Sequence, residues 1–209
     1  MFFQDRDDAA EKLLKKLNKF KRKRKLVVIG VPRGGVPLAK RIADGINKPL
    51  DIIVTKKIGA PFNKEYAIGA ITEDGTPILD EKNKQTVDVP QSYLEEEIKA
   101  QKEEVDRRLK KYRGQKEPLD LDNKTALIID DGVATGNTMK ATIKSAQEKG
   151  AKKIIVAVPV GAPDTIDELN NLADEIICLE EPKSFGAIGR FYYDFEQVSD
   201  DEVIEALNK

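Results

Sequence analysis

The stretch from Thr125 to Met139 carries the residues with the clearest chemical use. An uninterrupted run of apolar or β-branched residues, 125–129, is followed at once by two carboxylates, Asp130 and Asp131. A short run without polar alternation is typical of a parallel strand that is covered on both faces. Ligands of open α/β sheets bind at the carboxyl ends of the strands, so we expect these carboxylates to lie beside a ligand.

A small loop rich in glycine and hydroxyl groups follows the two carboxylates. It contains Gly132, Thr135, Gly136 and Thr138 and leads into apolar residues at helical spacing that end before Gly150. Backbone N–H groups at the start of a helix favour phosphate, and glycine lets the backbone approach it closely. Carboxylates accept hydrogen bonds from sugar hydroxyls and attract Mg²⁺. The stretch therefore predicts a site for a phosphorylated sugar.

The same stretch resembles the phosphoribosyl pyrophosphate (PRPP) signature of type I phosphoribosyltransferases. In that family the acidic pair holds the ribose 2- and 3-hydroxyls, and the Thr-Gly-x-Thr loop that follows wraps the 5-phosphate. The resemblance implies Mg²⁺ as cofactor, held by the two aspartates indirectly, through ribose hydroxyls and water. The positions that it assigns to PRPP are Asp130, Asp131, Gly132, Ala134, Thr135, Gly136, Asn137 and Thr138.

An earlier strand-to-helix turn carries one cation and two residues without Cβ. Arg33, Gly34 and Gly35 follow the predicted strand Leu26–Ile29 and precede a helical pattern that closes at Gly45. The turn has the spacing of neither a Walker loop nor a dinucleotide fingerprint, so by itself it indicates little. Beside the PRPP signature it resembles the family's pyrophosphate loop. Backbone amides and a cation of that loop face the leaving group, and the loop often contains a strained or cis peptide.

The next predicted strand, Leu50–Thr55, ends in the dipeptide Lys56-Lys57. Neighbouring residues of a strand point to opposite faces, so at most one lysine need face a ligand. The family carries a basic dipeptide here, commonly Arg-Lys, which contacts pyrophosphate. Lys56 cannot form the bidentate hydrogen bonds of that arginine, so we favour Lys57 as the residue that contacts the ligand. The implied pyrophosphate-binding residues are Arg33, Gly34, Gly35, Lys56 and Lys57, and the implied catalytic residues are Asp130, Asp131, Lys57 and Arg33.

The elements that must position these residues follow a repeating pattern. Strand-like apolar runs alternate with helical patterns, which predicts an α/β doubly wound fold with a five-stranded parallel sheet. At 209 residues the chain can bury one substantial core, so we predict a single domain over 1–209. The predicted strands are 26–29, 50–55, 125–129, 154–158 and 176–179.

The segment 61–118 departs from this rhythm. Strand patterns at 66–72 and 76–79 flank the turn 73–75, which predicts a hairpin, and Ser92 begins a capping box for a long charged helix. The resemblance implies a flexible two-stranded flap that closes over PRPP. We read the charges of the helix as a solvated face. Its apolar stripe could pack on the core or on a second subunit, so a homodimer stays open.

The C-terminal segment 182–209 is rich in aromatic residues. In the family the segment after the last core strand forms a hood that receives the nitrogenous base, so Phe185, Phe191 or Tyr192 could stack on a flat ring. The alternative is a small satellite core under the C-terminal loop. Ala134 stands where the 6-oxopurine enzymes carry an acid/base aspartate, which leaves pyrimidine, adenine-like or other amine acceptors open.

Composition excludes several other classes of site. The chain has 36 basic and 37 acidic residues, so no overall field favours nucleic acid. The complete absence of histidine excludes Ser-His triads and the usual zinc sites. Cys178 is the only cysteine and lies in an apolar run, which predicts a buried strand thiol. No apolar run is long enough for a membrane span or a signal core, so we expect a cytoplasmic protein with no membrane contact.

The resemblance extends over nearly the whole chain, through 56–61, 66–70, 158–160 and 185–195, to predicted phosphoribosyltransferases of about this length without a defined acceptor. It implies transfer of the 5-phosphoribosyl group from Mg-PRPP to a nitrogenous base or amine, with release of pyrophosphate. One alternative is a PRPP-sensing regulator of the same fold that binds RNA or a protein partner through the basic run Lys19–Lys25. Another is a different sugar-phosphate enzyme.

Overall fold

The computed structural model describes residues 2–64, 66–114, 116–117 and 119–208. Helices and strands alternate along most of this length, as the sequence pattern predicts. The α-helices are α1 Arg6–Leu17, α2 Gly35–Ile46, α3 Glu81–Val87, α4 Gln91–Arg113, α5 Asn137–Glu148, α6 Pro163–Leu169 and α7 Asp200–Asn208. The strands are β1 Leu26–Gly30, β2 Leu50–Ile52, β3 Lys56–Gly59, β4 Ala67–Ile71, β5 Pro77–Leu79, β6 Thr125–Ile129, β7 Lys153–Val160 and β8 Glu175–Glu180.

Five strands form one parallel sheet in the order β2-β1-β6-β7-β8, which confirms the predicted sheet. The chain places β2 on one side of β1 and all later strands of this sheet on the other side. Ligands of doubly wound sheets bind beyond the carboxyl ends of the strands at such a reversal. The connections after β1 and β6 therefore share one crevice.

The uninterrupted apolar runs have a direct explanation in the packing. Alternate residues of β6 enter different clusters: Leu127 and Ile129 pack with α1 and α2, whereas Ala126 and Ile128 pack with α5 and α6. Successive side chains of a strand point to opposite faces, so a strand with helices on both faces must be apolar throughout.

Helix α2 extends further than the sequence pattern predicts. Gly45 lies inside the helix, and the residue with the left-handed conformation is Asn47, at φ 53°. A Cβ at Gly45 would lie 2.5 Å from Cδ2 of Leu14, so the glycine permits close packing of α1 against α2. The predicted helix end at Gly45 is therefore wrong, because a packing requirement has the same sequence signature as a helix terminus.

A second sheet, β3-β4-β5, is antiparallel and three-stranded. Its β4–β5 hairpin turns at 73–75 as predicted, but the expected two-stranded flap gains β3 as a third strand. Strand β2 ends at Ile52 rather than at the predicted Thr55. Lys56 and Lys57 lie in β3 of the second sheet, not at the end of a strand of the parallel sheet. The backbone N–H of Val54 donates to the carboxylate of Glu73, at 3.1 Å, instead of continuing the β2 pairing.

Helix α4 begins at Gln91, with Pro90 as the residue before it and no side-chain cap. Ser92 lies inside the first turn, so the predicted capping box is wrong. The apolar stripe of α4, including Leu94, Val105 and Tyr112, packs in a third cluster with the second sheet and α7. The stripe thus has partners within this chain. Residue 118, the predicted end of the insertion, lies outside the described residues.

The two ends of the chain run side by side. Phe3 pairs with Tyr192 in a parallel bridge, and a 3₁₀ helix, Ile188–Phe191, precedes this contact. Helix α7 then packs against α2 and α4. Among the described residues, no helix combines the length and the apolar character that crossing a bilayer requires.

Candidate active site

A cavity of about 300 Å³ lies where the connections after β1 and β6 meet. The apolar part of its lining includes Val133, Met139 and Ile188. The tertiary structure therefore brings together segments that are about a hundred residues apart in the sequence. The predicted site residues that line the cavity are Arg33, Gly34, Asp130, Asp131, Gly132, Ala134, Thr135, Gly136 and Thr138.

The loop after β6 is held by the end of β7 and by α6. Val133 N–H donates to the carbonyl of Val160, at 2.9 Å, and the hydroxyl of Thr165 donates to the carbonyl of Ala134, at 2.6 Å. Gly136 directly precedes the first residue of α5. The loop therefore ends at the positive end of a helix of three turns, where an anion is stabilised.

The turn after β1 packs against the acidic pair. A cis peptide joins Pro32 to Arg33, as the resemblance to the pyrophosphate loop implied. A Cβ at Gly34 would lie 2.0 Å from Oδ2 of Asp131 and 2.7 Å from its Cγ. Only glycine therefore allows this turn and the Asp131 carboxylate to lie together.

Burial shapes the electrostatics of the acidic pair. Burial raises the pKa of Asp130 well above its ordinary value, and the neighbouring charge of Asp131 raises it further. Burial also raises the pKa of Asp131, although the Arg6 guanidinium opposes this shift. The backbone N–H of Asp131 donates to Oδ1 of Asp130, at 2.9 Å. Two close carboxylates with one partner cation form a site that favours hydrogen-bond donors.

Arg6 is a charged residue beside Asp131 that sequence reasoning missed. Its Nε donates to Oδ2 of Asp131 at 3.0 Å, and its Nη2 lies 2.9 Å from the same oxygen. The hydroxyl of Tyr192 donates to the Asp131 carbonyl, at 2.6 Å. Arg6 precedes Asp131 by 125 positions and carries no local motif, so only the fold could reveal the contact.

Comparison with known proteins decides the family. The sequence model of the phosphoribosyl transferase domain matches residues 4–196. The chain belongs to the phosphoribosyltransferase family. Membership of this family supports an assignment as a transferase. The order of the strands in the parallel sheet matches the type I phosphoribosyltransferase fold.

Individual relatives agree with the family assignment. Two Mycobacterium tuberculosis strains carry a protein named provisionally as a phosphoribosyl transferase, 39% identical over 207 residues and covering 99% of this chain. The chain covers 46% of those relatives, so it spans about half their length. The crystal structure of TT1426 from Thermus thermophilus is 35% identical, with a TM-score of 0.82 over 99% of this chain and 98% of that one.

The predicted basic residues lie close to one another, and Arg33 lines the cavity. Arg33 lies 3.6 Å from a carboxylate oxygen of Asp200. Lys56 is half-buried, and burial lowers its pKa, with the nearby charges of Arg108, Lys57 and Arg33 adding to the effect. Neither Lys56 nor Lys57 lines the cavity in the described part of the chain. Our preference for Lys57 over Lys56 in contacting a ligand therefore stays a prediction.

The predicted base-stacking aromatics lie beside the cavity rather than on its wall. Phe191 and Tyr192 are only 9% and 6% exposed. The ring of Phe185 packs against that of Phe191, with 5.3 Å between the two ring centres. Burial leaves little of Phe191 or Tyr192 for stacking, whereas half-buried Phe185 keeps an exposed portion. Ile188 lines the cavity instead, and it was missed because a single isoleucine outside any apolar periodicity gives no sequence signal.

Two other predicted site residues, Gly35 and Asn137, begin helices α2 and α5 without lining the cavity. Asn137 is 6% exposed, and its Nδ2 has no hydrogen-bond partner among the described residues. A contact of its side chain with phosphate therefore stays a prediction.

The arrangement fits Mg²⁺ only through a bound ligand. Among the described residues there is no group of three or more carboxylate or thiol side chains placed to hold a metal ion. Asp130 and Asp131 offer two carboxylates, and Arg6 already engages one Asp131 oxygen. Mg²⁺ usually keeps several waters and binds through one or two carboxylates plus substrate oxygens, which suits this pair.

Proposed function

We propose that the chain transfers the 5-phosphoribosyl group from Mg-PRPP to a nitrogenous base or amine and releases pyrophosphate. The observation that carries this proposal is the meeting, in one cavity, of the acidic pair, the Arg33 turn and the 135–138 loop. These three groups match the ribose hydroxyls, the pyrophosphate and the 5-phosphate of PRPP. Family membership supports the same reading.

Each group would have a defined task in the reaction. Asp130 and Asp131 accept hydrogen bonds from the ribose hydroxyls, and their charge stabilises an oxocarbenium-like transition state. The loop that carries Thr135 and Thr138 fixes the 5-phosphate, while Arg33 stabilises the departing pyrophosphate. Mg²⁺, held at the aspartates through ribose hydroxyls and water, would neutralise charge on the leaving group. Positioning and charge thus supply the catalysis, without a histidine.

The acceptor is constrained by Ala134, which lines the cavity and offers no acid or base. A 6-oxopurine reaction that needs an aspartate at this position is therefore disfavoured. Pyrimidine, adenine-like and other amine acceptors fit the proposal. A homodimer and a cytoplasmic location stay predictions from the sequence.

Pyrophosphate release from PRPP, measured across a panel of bases and amines with Mg²⁺ present, tests the proposal. We expect release with at least one acceptor and calorimetric binding of Mg-PRPP. Tight binding of ribose 5-phosphate without binding of Mg-PRPP would instead indicate a different sugar-phosphate enzyme.

Binding of Mg-PRPP without release for any acceptor would favour the regulatory alternative. That reading draws on the exposed basic side chains that precede β1, among them Lys21, Arg22 and Arg24. A regulator that reads RNA should show salt-dependent RNA binding that is lost when these side chains are replaced, while its PRPP affinity is unchanged.

A further inference from the structure

The guanidinium of Arg6 is held on several sides in addition to its contact with Asp131. Its Nη1 donates to the carbonyl of Glu196, at 2.7 Å, and its Cζ lies 4.1 Å from the centre of the Phe195 ring. The Arg6 and Asp131 side chains are 14% and 10% exposed. A guanidinium with this many contacts has one orientation, so the carboxylate that it binds has a defined orientation as well.

Both Arg6 donors that reach Asp131 engage Oδ2 and leave Oδ1 to other partners. Oδ2 lies over Gly34, where a side chain would occupy its position. The Tyr192 hydroxyl binds the carbonyl of the same aspartate, at 2.6 Å. Contacts from the two ends of the chain and from the turn after β1 therefore determine the placement of one carboxylate.

We propose that Arg6 is a positioning residue for the donor sugar: it holds Asp131 in the orientation in which that carboxylate accepts hydrogen bonds from the ribose hydroxyls. The inference rests on the proposed function, because it assumes a ribosyl ligand at Asp131. In the described part of the chain Arg6 does not line the cavity, so it acts through Asp131. Without Arg6, the carboxylate would lie buried beside Asp130 and without the cation that pairs with it, and its ligand-binding orientation would no longer be favoured.

A double-mutant cycle on Mg-PRPP affinity tests this inference. The variants are Arg6→Gln, Asp131→Asn and the double variant, measured by calorimetry. We expect Arg6→Gln to weaken binding by about tenfold in the wild-type background, the effect of losing one charged hydrogen bond. In the Asp131→Asn background the same change should cost less than about twofold, because the group through which Arg6 acts is already altered.

Two further variants separate positioning from folding. Arg6→Lys keeps the cation but not the planar arrangement of donors, so it should recover part of the affinity. Lys12→Gln removes a cation of the same helix that pairs with Asp8 at 2.6 Å, and it should leave Mg-PRPP affinity unchanged. Thermal unfolding of each variant monitors the fold.

The outcomes are distinct. Equal affinity of wild type and Arg6→Gln would overturn the inference and leave the proposed function in place. Additive losses in the two backgrounds, or an equal loss in Lys12→Gln, would indicate a structural role and would also overturn it. A wild-type protein that binds neither Mg-PRPP nor ribose 5-phosphate would overturn the proposed function and the inference together.

Discussion

Gly34 and Asp131 lie close together where the two halves of the candidate site meet. The missing Cβ of Gly34 leaves room for the Asp131 carboxylate, whose Oδ2 would lie 2.0 Å from an added Cβ. Two non-bonded heavy atoms cannot remain at that distance, so any side chain at this position must displace the carboxylate or the turn. The acidic pair is local in sequence, but its orientation depends on this glycine almost a hundred residues earlier.

We expect Gly34→Ala to lower Mg-PRPP affinity by at least about tenfold, because the displaced carboxylate loses a charged hydrogen bond to the ribose. Gly45→Ala is the matched control. Its added Cβ would meet the flexible Leu14 side chain away from the site, so it should reduce stability but leave affinity unchanged. Calorimetric titration and thermal unfolding of both variants would check this. A Gly34→Ala protein with wild-type affinity would contradict the geometry.

Tyr192 supports the same aspartate from the backbone side. We expect Tyr192→Phe to lower the free energy of unfolding by about 1–2 kcal/mol, because the Asp131 carbonyl loses its hydroxyl donor in a buried place. The ring centres of Phe3 and Phe195 lie 5.3 and 4.8 Å from that of Tyr192, and both rings should still pack on the phenylalanine of the variant. Tyr193→Phe, at a residue 74% exposed, should change the free energy of unfolding by less than about 0.5 kcal/mol. Urea unfolding measures both, and equal effects would exclude a specific role for the Tyr192 hydroxyl.

Among the elements, the three-stranded sheet differs most from expectation. The resemblance implied a flexible flap, yet the hairpin turn is attached to two helices through Glu73. Its Oε1 lies 2.7 Å from Nη1 of Arg113 on α4 and 3.0 Å from Nζ of Lys149, which directly follows α5. The Glu73 backbone N–H also donates to Ser145, at 3.1 Å. These contacts hold the turn against α4 and α5, and closure of a flap over PRPP stays a prediction from the resemblance.

We expect Glu73→Gln to lower the free energy of unfolding by about 3 kcal/mol, because it leaves a buried arginine without its main counter-charge. The Glu73 side chain is 4% exposed and that of Arg113 is 11% exposed. Arg107→Gln breaks an exposed pair on the same helix, with Glu104, and should cost less than about 1 kcal/mol. Chemical denaturation would measure both changes. Similar losses in the two variants would show that burial of the pair does not matter.

Element boundaries were predictable where local pattern controls them. Strand β6 and the helix end near Gly150 follow from apolar spacing and from a glycine at φ 80°, and both were predicted. Strand β2 is shorter than its apolar run because the N–H of Val54 bonds to Glu73. Tertiary hydrogen bonds of this kind leave no trace in the periodicity of a single segment.

For the molecule as a whole, helix α7 joins elements that are distant in the chain. Asp200, in its first turn, accepts hydrogen bonds from Lys111, at 2.8 Å, and from the hydroxyl of Tyr112, at 2.6 Å. These bonds lower the pKa of Asp200 to about 2. A carboxylate whose pKa is lower in the folded protein stabilises it at neutral pH and loses that effect in acid.

We therefore expect wild type to be more stable than Asp200→Asn above about pH 4, the ordinary pKa of an aspartate. The difference should shrink as pH falls through about 2, where the folded protein protonates Asp200. Asp201→Asn removes an exposed carboxylate from the same turn. The unfolding temperature of this variant should fall with pH in the same way as that of wild type. Thermal unfolding from pH 7 to pH 2 measures these differences. A constant difference over this range would rule out the Asp200 contacts as its source.

The sequence by itself determined the parallel strands, the acidic pair after β6 and the PRPP-like loop. These features depend on residues that are close along the chain, so apolar spacing and residue order are enough to identify them. Only the tertiary structure decided the partners of Asp131 and of Glu73. Arg6 lies 125 positions from Asp131, Tyr192 lies 61 positions from it, and Arg113 lies 40 positions from Glu73. Contacts over such separations arise from packing of the whole chain, and neither periodicity nor a local motif encodes them.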